Sequence, residues 1–67
     1  MDIRQRLAAN LRKFRLEKGW CQEEFAHQAD VHRTYISDLE RAARNPSIDV
    51  IGRLATTLGV KAGELLD

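Results

Sequence analysis

The sequence predicts an all-α domain of five short helices. Apolar residues recur at spacings of three and four, the period of one helical face. A single Pro and four Gly interrupt the sixty-seven residues, so regular elements dominate over turns. No segment carries a strand signal, an internal repeat or low complexity.

Ile3, Leu7, Leu11 and Phe14 form the first apolar stripe, over a helix of about residues 3–18. Asp2 is its cap, with Gln5 as the returning partner, and Gly19 is its stop. GWCQEEFAHQA starts the second helix, about 22–28, with Trp20 and Phe25 at staple positions. Cys21 stands where a cap belongs and is a poor acceptor. Asp30 and Val31 make a short turn, and the third helix runs from about Arg33 to Arg41. Asn45-Pro46-Ser47 closes a loop. Ser47 then caps a fourth helix with Ile48, Ile51, Leu54, Ala55 and Leu58 inward and Gly59 as its stop. AGELL makes the fifth.

Sixty-seven residues hold one core, so residues 1–67 are expected to form a single domain. With 43% apolar and 31% charged residues, the composition is that of an ordered globular chain. The lone Cys21 excludes a disulfide framework and fits a reducing compartment. The N-terminus is amphipathic without an apolar signal region, and no apolar run is long enough to span a membrane. A cytoplasmic location is expected. Cys21, His27 and His32 match no zinc spacing, so no metal or other cofactor is expected, and no small-molecule ligand is evident. Glu23 and Glu24 have no constellation of partners that would make them catalytic, and the chain is expected not to be an enzyme.

The net charge of +1 says little about partners; its distribution says more. On a wheel of the third helix, Ile36, Leu39, Tyr35 and Glu40 share one side. Arg33, Thr34, Ser37, Asp38 and Arg41 lie opposite. Two short helices joined by a tight turn, the second showing arginine and short polar groups outward, have the layout of a helix-turn-helix, about residues 22–41. In that layout the second helix enters the major groove of DNA. Arg33 has two readings, as a solvated arginine at a helix start or, because it opposes the dipole there, as a residue placed for another partner, its fork suiting guanine O6 and N7. Thr34 offers a hydroxyl and a methyl, and Ser37 a hydroxyl. Asp38 has two readings, as an acceptor from cytosine N4 or as a partner that orients Arg41. Gln22 begins a helix, where backbone N–H groups favour a phosphate.

The order RLEKGWCQEEFA, YISDLER, NPS, LATTLGV over about residues 7–66 resembles the Xre, or lambda-repressor-like, helix-turn-helix domains. That family includes phage repressors and the small controller proteins of restriction–modification systems. The resemblance implies a compact five-helix domain that binds double-stranded DNA and regulates transcription. By it, Arg33, Thr34, Ser37 and Asp38 match positions facing base edges. Gln22, Arg44 and Asn45 match backbone-contacting positions, Gln22 one that also supports the third helix, and Tyr35 and Arg41 are further phosphate candidates. Arg15 and Glu40 match a buried ion pair between the first and third helices, which supplies Glu40 with the partner its inward position demands.

Four residues depart from the pattern. Cys21 and His32 replace Ser or Thr caps, and Asp30 and Ala42 stand where Gly is common. At Ala42, either φ is positive and the residue is strained, or the helix runs one residue further.

One recognition helix reads few base pairs, so a homodimer on half-sites is expected. Leu58, Val60, Leu65 and Leu66 are the apolar residues offered for its interface. The sequence also allows two other readings. The fold can serve as an antitoxin-like protein-interaction module, or as the DNA-binding part of a longer regulator.

Overall fold

The computed structural model describes residues 2–67. Its helices are α1 (Ile3–Glu17), α2 (Gln22–Ala29), α3 (Arg33–Glu40), α4 (Ile48–Leu58) and α5 (Ala62–Leu66). No strand is present among the described residues. Helix α3 packs on both α1 and α2, α5 closes against α1 and α4, and α4 reaches α2.

The helix starts are local chemistry. Asp2 Oδ1 accepts the Gln5 amide at 3.1 Å, and Ser47 Oγ accepts the Val50 amide at 3.2 Å. The Gln5 side chain does not return the bond, so the first cap works in one direction. Cys21 Sγ accepts the Glu24 amide at 3.4 Å, a long bond to a weak acceptor. Glu24 instead accepts from Gln28 Nε2 at 2.8 Å. The stacked rings of Trp20 and Phe25, with centroids 6.1 Å apart, pin the chain at the start of α2. His32 makes no side-chain cap at all.

Four helices stop in the same way. After each, one residue turns left-handed: Asp30 at φ 57°, Ala42 at 58°, Gly19 at 76° and Gly59 at 73°. Its N–H bonds back three residues, and the next N–H bonds back five, as in Trp20 to the Arg15 carbonyl at 3.2 Å and Ala43 to the Asp38 carbonyl at 2.9 Å. These are Schellman stops, which satisfy carbonyls the helix leaves open. Glycine adopts the conformation freely and Asp tolerates it, whereas the Cβ of Ala42 opposes it. Helix α3 therefore ends at Glu40 rather than extending, and Ala42 carries the strain. Ala42→Gly is expected to raise stability by about 0.5–1 kcal/mol, the relieved strain less the added entropy of the unfolded chain. A higher urea midpoint at unchanged slope is the check.

Leu11, Phe25, Ile36, Leu39, Leu54 and Leu65 are the largest fully buried side chains and come from all five helices. Three expectations need correction here. Ile3 and Ile48 face solvent rather than the core, Ile48 at 86% exposure. Each is the first residue of its helix and lies at the rim of the core, so the packed stripes begin at Leu7 in α1 and at Val50 and Ile51 in α4. Leu58 and Leu65, at 3% and 0% exposure, are closed inside the chain's own core and cannot supply a dimer surface; Val60 and Leu66 are half-buried at its edge. A chain this small needs these leucines to close its core. The Asn10 side-chain amide donates to the carbonyls of Leu65 at 2.9 Å and Asp67 at 3.1 Å, which fastens α5 to the middle of α1.

Candidate nucleic-acid interface

Helix α3 is held from behind. Ile36 and Leu39 are buried, Tyr35 lies half-buried against the core, and Val31 plugs the turn between α2 and α3. Glu40, which also points inward, receives a full set of donors. Arg15 Nε donates to Oε2 at 2.7 Å and Arg15 Nη2 to Oε1 at 3.0 Å. Gln22 Nε2 adds a bond to Oε1 at 3.1 Å, and the remaining Arg15 nitrogen, Nη1, donates to the Trp20 carbonyl at 2.8 Å. The pair is well covered, with the Arg15 side chain 9% and that of Glu40 4% exposed. One carboxylate thus ties α1, the start of α2 and the end of α3 together. A charged, bidentate network fixes orientation better than apolar packing alone. Gln22 spends one N–H on this network and keeps its second for another acceptor.

The outward side of α3 differs. Arg33 and Thr34 are exposed on its first turn, and Arg33 has no acidic partner among the described residues. Ser37 is half-buried. Asp38 is a hub. Its Oδ1 accepts from Arg41 Nη2, and its Oδ2 accepts from Arg44 Nη2 at 3.1 Å. The Arg44 guanidinium also lies over the Tyr35 ring, 4.7 Å from its centroid. The hydrogen bond from Arg41, and then that from Arg44, hold the Asp38 carboxyl below the usual carboxylate range. It is therefore charged at neutral pH. Asn45 is exposed in the loop beyond.

The residues singled out in the sequence as facing DNA thus gather on α3, the start of α2 and the loop after α3. Two features escaped sequence reasoning, the contact of Arg44 with Asp38 and the stacking of Arg44 on Tyr35. Arg44 lies six positions beyond Asp38, a spacing at which side chains on a continuous helix would not meet; the left-handed turn at Ala42 folds the chain back. The predicted stop at that position was the one available signal. Among the described residues, no three metal-ligating side chains cluster. No helix there is long and apolar enough to cross a membrane.

The helix-turn-helix family model HTH_3 matches residues 11–65. The chain belongs to the HTH_3 helix-turn-helix family. A hypothetical transcription factor from Neisseria meningitidis is 48% identical over 65 residues, covering 97% of this chain and 61% of the relative. The crystal structure of a hypothetical transcription factor from Neisseria superposes with a TM-score of 0.96 at 47% identity, over 98% of this chain and 76% of the other. The control protein C.BamHI from Bacillus amyloliquefaciens is 45% identical over 67 residues, with 98% of this chain and 83% of the relative covered. The Bacillus subtilis regulator SinR, solved in complex with DNA, gives a TM-score of 0.87 at 34% identity, over 91% of this chain and 98% of the solved SinR chain; the match spans 56% of the full SinR protein. Helices α2 and α3 are the helix-turn-helix of this HTH_3 domain, joined by Asp30, Val31 and His32.

Proposed function

We propose that this protein binds double-stranded DNA sequence-specifically as a homodimer and regulates transcription, with α3 in the major groove. The observation that carries the reading is the exposed Arg33, unpaired among the described residues, beside Thr34 on a helix whose opposite face is core. An arginine at a helix start opposes the dipole, and an anionic or acceptor partner such as DNA offsets that cost better than water does. In this reading Arg33 forks onto guanine O6 and N7, while Thr34 and Ser37 complete the contact with base edges. Gln22, Tyr35, Arg41, Arg44 and Asn45 hold phosphates and set the register of α3. The names of the Neisseria transcription factor and the C.BamHI control protein, and the DNA in the SinR structure, support it. The protein works in the cytoplasm beside its DNA.

The second copy docks on an apolar surface revised from the sequence expectation. Ile48 is exposed, and one turn further Ile51 lines a cleft of about 130 Å³ with Ile3, Pro46 and Leu66. A surface isoleucine beside an apolar cleft suits a second copy of the same patch, and a two-fold pair supplies the second reading helix that a specific site needs. Ile48→Asp is expected to weaken self-association at least about tenfold by sizing at micromolar concentrations, because it places a charge in an apolar contact. The monomer should fold as before, since an acid suits the first turn of α4.

Selection of bound duplexes from a random library tests the whole reading. An enriched site with two-fold symmetric halves roughly one helical turn apart is expected. Recovery of no motif would overturn it.

A further inference from the structure

Resting on that reading, we propose that Asp38 is a positioning residue. It joins Arg41 and Arg44 into one preformed clamp beside the recognition face, and it makes binding more selective while lowering generic affinity for DNA. Three contacts converge on this small patch. Both oxygens of one carboxylate are engaged, each by a different arginine. The second arginine is also seated on the Tyr35 ring at 4.7 Å, so it is fixed on two sides. The Asp38 side chain is only 18% exposed, although the arginines it holds are 66% and 46% exposed. The anchor is rigid and its two ends reach solvent.

The physical consequences oppose each other. A carboxylate this close to DNA repels phosphate and removes part of the attraction that two arginines exert on any duplex. Free of it, two like-charged guanidiniums would repel each other and sample many rotamers, and ordering them on binding would cost entropy. Held by Asp38, they present a fixed spacing whose register is tied to α3 itself. Only a duplex that places its phosphates at that spacing while matching Arg33 satisfies both. Asp38 therefore acts through Arg41 and Arg44 and touches no base.

The test compares affinity for the selected duplex and a scrambled duplex, in the wild-type protein, in Asp38→Asn, in Arg41→Ala/Arg44→Ala, and in the triple variant. Asp38→Asn keeps the shape and removes the charge. It is expected to bind the scrambled duplex about two- to fivefold more tightly at low salt. Its preference for the selected duplex should fall about tenfold, with an unchanged melting temperature showing an intact fold. In the background lacking both arginines, the same substitution should leave the preference unaltered, because the groups it positions are gone. An undiminished preference in Asp38→Asn would overturn the proposal. So would an equal fall in both backgrounds, which would make Asp38 a direct base contact. If the wild-type protein itself showed no preference, the DNA-reading function would fall and this proposal with it.

Discussion

Glu40→Ala is expected to destabilise the protein by about 3–5 kcal/mol, the range for stranding one member of a buried ion pair. Three donors lose their acceptor at once: Nε and Nη2 of Arg15, and Nε2 of Gln22. The Arg15 guanidinium is left almost uncovered by water and without its counter-charge. A domain of this size has a total stability of only about 3–10 kcal/mol, so much of the variant should be unfolded at physiological temperature. Urea unfolding followed by Trp20 fluorescence measures the loss, since this single tryptophan sits beside the network. Replacing both partners, with Arg15→Met and Glu40→Leu, should recover most of it, because an apolar pair of similar volume leaves no buried charge. Recovery should stop about 1 kcal/mol short, as the Trp20 carbonyl still lacks the donor it had in Arg15 Nη1. A Glu40→Ala loss below about 1 kcal/mol would show that the pair is solvent-screened, as surface pairs are.

Arg33→Ala is expected to leave the fold intact and to cut the affinity for the selected duplex. Each bidentate guanine contact is worth about 1–3 kcal/mol, roughly a five- to 150-fold loss per half-site. Arg33 is exposed and unpaired among the described residues, so its removal strands nothing in the protein. Scrambled duplex should be bound nearly as well as before, apart from the small change due to one lost charge. Arg33→Lys should behave more like Ala than like Arg, because an ammonium cannot make the planar fork. Titrations of labelled duplexes at fixed salt separate the two affinities. An equal loss on both duplexes would make Arg33 a phosphate contact rather than a reader.

The helix boundaries were legible because their signals are local. Gly19, Gly59 and the Ser47 cap each act within one turn of the chain. The outward face of α3 was legible for a similar reason: the inward Ile36 and Leu39 set the phase of the helix and so fix what points out. Reading failed where the outcome depends on distant partners. Periodicity assigns Ile3 and Ile48 to inner faces, but it does not say whether another helix reaches the first turn. Leu58 and Leu65 carry the same apolar signal whether they close a core or cover a partner, and only the packed volume decides. Asn10 gave no sign that its amide would fasten a segment fifty-five residues away. The Glu40 network was largely legible, since an inward acid demands a cation and the family resemblance has Gln22 supporting α3, while the acceptor of Gln22 and the part of the Trp20 carbonyl came from the packing of α1 against α3. The clamp at Asp38 was hidden by the left-handed turn at Ala42, which breaks the helical register between Asp38 and Arg44.

The central claim is that α3 reads base edges in the major groove through Arg33. Methylation interference on the selected duplex tests this most directly, because guanine N7 lies in the major groove and adenine N3 in the minor groove. Guanine N7 methylation at symmetry-related positions should exclude the duplex from the wild-type complex, and Arg33→Ala should erase that interference at those same positions. Interference confined to adenine N3, or a guanine pattern unchanged by Arg33→Ala, would contradict the account.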